Sequence, residues 1–157
     1  MRLTTRTNLA LRTLMFCAVN DGKIVRKQDV AVAVNASENH LAQVVNRLAQ
    51  TGFITTLRGR HGGFHLARPA ATVSIGEVFR AFEAGLPFIE CFGDANTCPL
   101  RPACRMRRHL ERAVEAFYIT LDPLTLADLT ECNAGLDAIL ALDSARARTS
   151  CRLPENA

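Results

Sequence analysis

Three cysteines stand close together in the second half of the chain, at Cys91, Cys98 and Cys104. Six residues separate the first two and five separate the last two, and the Gly, Asp, Asn and Pro residues among them favour a loop. Thiolates on a loop suit an iron–sulfur cluster or zinc, because an irregular backbone can bring several sulfurs to one centre. Three sulfurs leave one position for another ligand. The spacing predicts a metal site in this cysteine segment, residues 91–104, with the fourth ligand unassigned.

Composition limits the kind of protein that carries these cysteines. With 157 residues, 48% of them hydrophobic, the chain is long enough for one globular domain or a compact domain with an appendage. No apolar run approaches the roughly 20 residues that span a bilayer, and no signal peptide is evident. We therefore expect a cytoplasmic protein without a membrane partner. In a reducing compartment the six cysteines are expected as ligands or buried thiols and not as disulfides.

Positive charge is concentrated in the first half of the sequence. Residues 1–68 contain ten Lys/Arg and three Asp/Glu, whereas residues 69–157 contain nine Arg and twelve Asp/Glu. This split suggests that the amino-terminal half meets a polyanion. A solvated basic surface without a partner explains the charge equally well, so the motifs must decide.

Apolar residues recur at helical spacing in the first fifty residues. They predict a helix from Thr7 to about Val19, a short helix over residues 26–34 and a third helix with an apolar stripe at Leu41, Val44, Val45 and Leu48. Residues 35–37 supply a turn and an N-cap between the last two. This layout is typical of a helix-turn-helix.

The next segment predicts a β-hairpin. Residues 53–58 and 64–68 read as strands around a basic tip rich in glycine, which is the position of the wing in a winged helix. A nucleotide-binding loop is excluded, because neither GxGxxG nor a P-loop Lys-Ser/Thr is present. The predicted fold is mainly α with a small β-hairpin wing, namely a winged helix-turn-helix followed by a long dimerisation helix.

The candidate DNA contacts lie on the helix-turn-helix and at the wing tip. Asn, Gln and Arg are residue types that read base edges, and glycines at the tip would allow close approach to phosphates or a minor groove. A solvated polar face is the alternative for the helix residues; the wing favours DNA contact. The candidates are Lys27, Ser37, Asn39, His40, Gln43, Asn46, Arg47, Arg58, Arg60, His61, Gly62 and Gly63.

The second half predicts three further features. Ser74-Ile-Gly-Glu77 fits a capping box that opens a helix, and a long helix starts near residues 101–102, with Leu110, Ala113, Val114, Phe117 and Leu121 as its apolar stripe. Such an exposed helix is expected to be covered by a second subunit. Thr125 caps one more short helix, which ends by about Leu142. We expect a DNA-binding domain over 1–84, a cluster-binding and dimerisation region over 85–143 and a disordered tail over 144–157.

Five stretches together resemble the BadM/Rrf-type winged-helix regulators, over about residues 1–130 and in order. They are Met1-Arg-Leu-Thr-Thr5, the Arg58-Gly-Arg-His-Gly-Gly63 tip, Ser74–Glu77, the three spaced cysteines and the run at 121–129. The nitric-oxide-sensing branch is most similar. The resemblance implies a homodimeric repressor that binds operator DNA, with Cys91, Cys98 and Cys104 holding one cluster per subunit, 4Fe-4S or 2Fe-2S. Nitric oxide would nitrosylate the cluster, abolish operator binding and derepress detoxification genes.

The chain departs from that branch at the fourth ligand. Members of that branch resemble one another in having an aspartate in the first helix, and this aspartate reaches the cluster of the partner subunit. The matching residue here is Asn8. An amide oxygen is a weaker donor than a carboxylate. Asn8, a water or small thiol, or His109 remain as candidates. Cluster regulators that use a His three positions after the third cysteine are disfavoured, since Arg107 stands there.

Three interpretations of the cysteines compete. Spacing and resemblance together favour an iron–sulfur cluster over structural zinc. An electron-transfer or redox enzyme would leave the basic half unexplained, and no catalytic base, flavin motif or nucleotide site is present, so we expect no enzyme. A winged-helix regulator that senses iron or redox state, through a cluster or zinc, stays open. Cys17 is expected in the core, and Cys132 and Cys151 are expected to be bystanders.

Overall fold

The computed structural model describes residues 4–60, 62–83, 92–93 and 97–142. Three helices come first, and their bounds are α1 Thr5–Val19, α2 Lys27–Ala33 and α3 Glu38–Gln50. An antiparallel hairpin follows, with β1 at Ile54–Leu57 and β2 at Gly63–Leu66, then a 3-10 turn at Ala70–Thr72 and α4 at Ile75–Glu83. The last helices are α5 Met106–Leu121, α6 Leu126–Thr130 and α7 Ala134–Leu140. The predicted class, mainly helical with a two-stranded wing, is confirmed.

Two turns of the same design set the helix-turn-helix and the wing. Asn35, at a φ of 50°, ends α2, and the Ala36 N–H donates to the Ala31 carbonyl at 2.9 Å. Gly52, at a φ of 77°, ends α3, and the Phe53 N–H donates to the Leu48 carbonyl at 2.9 Å. Both are Schellman motifs, in which a left-handed residue satisfies the last helix carbonyls. The first turn joins α2 to α3, and the second directs the chain into β1.

One hydrophobic core joins the amino-terminal and carboxy-terminal elements. α1, α3 and the wing contribute Leu14, Leu48 and Phe64, and α6 contributes Leu126, all buried. The buried Asn20 at the end of α1 donates to the Leu140 carbonyl and accepts from the Leu142 N–H, each at 2.8 Å. These bonds fix the end of α7 against α1. Among the described helices, none combines the length and apolarity that a bilayer crossing needs.

A short backbone pairing joins the chain just before α4 to the connection between α5 and α6. The Ile75 N–H donates to the Leu124 carbonyl at 2.8 Å, and the Leu126 N–H donates to the Val73 carbonyl at 2.9 Å. Gly76 lies against Asp122 at this joint, where an added Cβ would lie 2.9 Å from the Asp122 Cα and backbone nitrogen. The Ser74–Glu77 and 121–129 stretches of the sequence therefore meet in space.

Four local expectations need correction. One half of the predicted capping box is present, since Ser74 Oγ accepts from the Glu77 N–H at 3.3 Å. The other half would be a bond from the Ser74 N–H to the Glu77 carboxylate, but that carboxylate forms an ion pair with Arg68 instead. α5 begins at Met106, because successive turns precede it over residues 99–103. The single helix predicted after Thr125 is two helices, interrupted at Cys132, which has a φ of 56°.

The fourth correction concerns the cysteines. Cys132, which is exposed, is disulfide-bonded, so the expectation of ligands or buried thiols instead of disulfides is wrong at this position. Cys17, Cys98 and Cys104 are thiols and not disulfides, and Cys17 lies in the core as expected. Cys91, Cys151, His61 and the 144–157 tail lie outside the described residues.

Candidate functional site

The predicted DNA contacts of the helix-turn-helix share one exposed face. Ser37 caps α3, its Oγ accepting from the His40 N–H at 3.4 Å, and thereby sets where the helix begins. The next turns of α3 expose a row of polar side chains while Leu41, Val44 and Leu48 face the core. The exposed row consists of Asn39, His40, Gln43, Asn46 and Arg47. Lys27 stands at the start of α2 and pairs with Glu38 across the turn, Nζ to Oε2 at 3.3 Å.

The wing is anchored at its base and exposed at its tip. Val25 and Phe64 exchange backbone hydrogen bonds of 2.9 Å, which add a bridge to the two paired strands. Arg58 and Arg60 are exposed at the tip. The glycines there have a conformational role: Gly59 has a φ of 111° and its carbonyl accepts from the Gly62 N–H at 2.9 Å, closing the turn.

Gly63 has a steric role beside this turn. A Cβ at Gly63 would lie 2.6 Å from Ile24 Cγ2 and 3.1 Å from the Val25 carbonyl carbon. The bridge between Val25 and Phe64 therefore needs glycine at this position. The requirement comes from protein packing, whereas the sequence suggested an approach to nucleic acid.

The metal-site candidates fall in three places. Cys98 and Cys104 are half-buried thiols at the two ends of a run of turns, in which the Arg101 N–H donates to the Cys98 carbonyl at 3.2 Å. Asn8 is exposed in the first half of α1, and His109 is exposed on α5. In the part of the chain that the structure describes, no group of three or more His, Cys, Asp or Glu residues converges on one point.

The last turn of α4 is hydrogen-bonded to the start of α1. Glu83 Oε1 accepts two hydrogen bonds from Thr4, one from its backbone N–H at 2.9 Å and one from its Oγ1 at 2.8 Å. Thr7 Oγ1 donates a third hydrogen bond to the same oxygen. Burial alone would raise the pKa of Glu83, but these hydrogen bonds outweigh it and hold the pKa below the usual range. The turn that leads toward the cysteine segment is thus fixed to the start of α1.

The same turn is also fixed to α3, the helix predicted to contact DNA. Arg47 donates to the Ala81 carbonyl through Nη2 at 3.1 Å and Nε at 3.4 Å. A cation at the end of a helix is favourable, because the last carbonyls carry partial negative charge. Arg47, which the sequence offered as a DNA contact, therefore also bridges two helices inside the protein.

α5 is held against α4 by aromatic and ionic contacts, yet stays largely uncovered. The Phe79 and Phe117 rings meet edge to face at 5.5 Å, and Arg80 pairs with Asp122 and lies 4.6 Å above the Tyr118 ring. Nevertheless no α5 residue is fully buried, and Met106 and Ile119 are 66% and 59% exposed. These uncovered apolar side chains are consistent with the predicted cover by a second subunit, which stays a prediction.

Comparison with known proteins gives this architecture a family. Residues 3–132 match the family Rrf2, described as iron-dependent transcriptional regulators. The chain belongs to the Rrf2 family. It is 44% identical over 142 residues to the HTH-type transcriptional regulator NsrR of Geobacillus kaustophilus, covering 89% of this chain and 97% of that protein. The resemblance seen in the sequence is confirmed, and so is the expectation of a regulator that is not an enzyme.

Solved Rrf2-like structures agree with the fold. The oxidized form of Staphylococcus aureus CymR is 27% identical, with a TM-score of 0.64 over 83% of this chain and 97% of that chain. IscR of T. potens shares the fold at 23% identity, with a TM-score of 0.63 over 82% of this chain and 85% of that chain. The winged-helix arrangement is thus common to this chain and these relatives.

Proposed function

We propose that this Rrf2 protein is a homodimeric repressor that binds operator DNA through α3 and the wing, carries one iron–sulfur cluster per subunit and releases DNA in response to nitric oxide. The observation that carries the proposal is the 44% identity to a relative named NsrR across 89% of the chain. The pattern of the three cysteines, the basic first half and the largely uncovered α5 support the same conclusion.

The donor set fits a cluster better than a hard metal ion. Cys98 and Cys104 supply soft thiol ligands on an irregular segment, and Cys91 completes the proposed set of three. Asn8, from the partner subunit, is the proposed fourth ligand, and its neutral amide would bind weakly. When bound, the cluster would supply the iron that reacts with nitric oxide.

The chain's own contribution is to connect the cysteine segment to the DNA-reading helix. Glu83 ends α4, eight positions before Cys91, and the turn containing Ala81 and Glu83 is bonded to both α1 and α3. A displacement of the chain beyond Glu83 would therefore act on Arg47 and tilt α3. Losing several phosphate contacts through such a shift costs orders of magnitude in affinity at physiological salt.

The first test is purification without oxygen and in the presence of a thiol reductant. We expect a coloured protein with iron and sulfide that binds a promoter duplex, and stoichiometric nitric oxide should bleach the absorbance and release the duplex together. Resonance Raman spectra before and after nitric oxide would assign the cluster as 4Fe-4S or 2Fe-2S. If nitric oxide bleached the cluster but left DNA affinity intact, the proposed signal would be wrong.

A Cys→Ser variant series tests the ligands. Replacing Cys91, Cys98 and Cys104 together should abolish iron and sulfide and weaken promoter binding, whereas Cys17→Ser should keep both. A triple variant that binds the promoter with the affinity of the parent, and responds to nitric oxide in the same way, would exclude these three cysteines as the sensor.

The second candidate is a regulator that senses iron or redox state through a cluster or zinc. The family description, iron-dependent transcriptional regulator, favours it. The two candidates differ in what releases the duplex: iron chelation or oxidation without nitric oxide for the second, nitric oxide at constant iron for the first. Zinc in a colourless protein, active in DNA binding, would favour the second.

A further inference from the structure

Arg6 on α1 contacts Gln43 on the recognition helix. Its Nη2 donates to Gln43 Oε1 at 3.3 Å, and both side chains are exposed. Arg6 lies outside the helix-turn-helix and the wing, so no motif of the sequence marks it as a DNA contact. The first turn of α1 therefore adds a basic group to the face that α3 presents.

An open groove lies beside this pair. Its volume is about 340 Å³, and its lining includes Arg6, His40 and Gln43 as polar groups, with Val44 and Leu9 at the apolar base. Polar donors above an apolar floor make a surface that a base edge or a phosphate can approach. The groove thus joins α1 and α3 into one continuous surface.

The contact with Arg6 fixes which way the Gln43 carboxamide points. A guanidinium only donates hydrogen bonds, so the atom that faces Arg6 must be the carbonyl oxygen, and the Nε2 donor is turned to the other side. Glutamine reads adenine by accepting from N6 through its oxygen while donating to N7. Here the Arg6 guanidinium lies beside the Gln43 carbonyl oxygen. The N6 amino group of adenine, itself a donor, would therefore face other donors where it needs an acceptor.

We propose that Arg6 determines base specificity: Arg6 and Gln43 form one surface of hydrogen-bond donors that selects guanine over adenine at the base pair Gln43 faces. Guanine presents two acceptors, N7 and O6, in the major groove, which complement a pair of donors. The inference rests on the proposed function, because it requires α3 to enter the major groove.

The test is selection from a randomised duplex library by the intact protein, followed by competition binding. Gln43→Ala first identifies the position that Gln43 reads, as the one whose base preference is lost. At that position the parent should prefer guanine over adenine by roughly tenfold, since a good paired contact discriminates by about that factor or more. Arg6→Ala should reduce this ratio to about one or reverse it, while other positions keep their preferences.

A matched control removes a different arginine of the same helix. Arg12 is also exposed on α1, and its guanidinium donates to the Val34 carbonyl at 3.3 Å. Arg12→Ala removes the same charge and should leave the guanine preference unchanged. Thermal unfolding of each variant separates a loss of fold from a change of specificity.

Three outcomes would overturn the inference. A preference of the parent protein for adenine at the base pair that Gln43 reads would contradict a surface made of donors. An Arg6→Ala variant weakened equally on every sequence, with a salt dependence reduced by about one unit, would make Arg6 a phosphate contact. An unchanged ratio in Arg6→Ala would make the contact irrelevant to DNA. If the parent selects no sequence at all, the proposed function fails first and the inference falls with it.

Discussion

The guanidinium of Arg47 donates two hydrogen bonds to the carbonyl oxygen of Ala81, so the recognition helix is bonded directly to the last turn of α4. Glu83, two residues later, is hydrogen-bonded to Thr4, the N-cap of α1, and to Thr7 in its first turn. Three helices therefore meet at one turn, which lies immediately before residues 84–91 and the cysteine segment. The turn therefore joins α1 and α3 at the last described residue of α4.

Arg47→Met tests this bridge. Methionine keeps much of the aliphatic length but donates nothing, so the Ala81 carbonyl loses its partner and the free energy of unfolding should fall by about 1 kcal/mol. Urea denaturation measures the change. Gln50→Met, at an exposed position of the same helix, should stay within about 0.5 kcal/mol of the parent. Equal stability of Arg47→Met and the parent would show that the bridge contributes nothing.

Gly76→Ala tests the joint between α4 and α5. An added Cβ at Gly76 meets the backbone of Asp122 at 2.9 Å, so two elements must separate, and we expect a loss of roughly 2–3 kcal/mol. Gly135→Ala is the matched control, because its Cβ would find no neighbour closer than 3.8 Å. A helical glycine replaced by alanine should be neutral or gain about 0.5 kcal/mol. Thermal melts that rank the two variants the other way would refute the close approach.

Local signals predicted the first half of this fold well. The turn at residues 35–37, the Ser37 cap and the glycine-rich wing tip have short sequence signatures, because a left-handed residue or an N-cap is a local requirement. The elements after α5 were predicted less well. Thr130 and Cys132 are weak helix formers and Asn133 is a preferred N-cap, as the structure has it for α7, but the prediction of one helix from Thr125 overlooked these signals.

Contacts between distant helices could not be read from the sequence. Arg6 with Gln43 and Arg47 with the Ala81 carbonyl join residues separated by more than thirty positions. In the sequence the three side chains involved look like ordinary exposed polar residues of amphipathic helices. Glu77 shows the same limit: its position fits a local capping box, but its carboxylate pairs with Arg68, nine residues earlier in the chain. Tertiary partners, absent from any short window, decided these side chains.

Glu83 should make stability depend on pH. Burial would raise its folded-state pKa, but the hydrogen bonds from Thr7 and Thr4 outweigh burial and lower it. The ionised carboxylate therefore contributes its full share of the folding stability above the ordinary glutamate pKa. The contribution is lost as pH falls through the folded pKa. Glu83→Gln should therefore be about 1 kcal/mol less stable than the parent at pH 7, with the gap closing in acid. Urea denaturation from pH 7 to well below the ordinary glutamate pKa measures the gap, and Glu131→Gln, at an exposed position, is the control.

Cys17 should be unreactive in the folded protein. Burial raises the pKa of its thiol to about 12, and the side chain is 2% exposed. At pH 8 the thiolate fraction is then roughly one in ten thousand, and the reagent has no access. In cluster-free protein, iodoacetamide followed by peptide mass spectrometry should label Cys98 and Cys104 and spare Cys17 until denaturant is added. Labelling of Cys17 at the rate of Cys98 would mean that α1 opens readily.

Asn8→Asp tests the proposed fourth ligand. Asn8 is exposed on α1, so the change needs no repacking, and a carboxylate in the first turns of a helix is electrostatically favourable. A charged oxygen should bind iron more strongly than an amide, so the lifetime of the cluster in air should lengthen, as followed by the decay of its visible absorbance. Asn8→Ala should shorten it or leave it unchanged. If both variants lose absorbance at the parent's rate while their melting temperatures also match, position 8 does not ligate the cluster, and His109 becomes the residue to replace next.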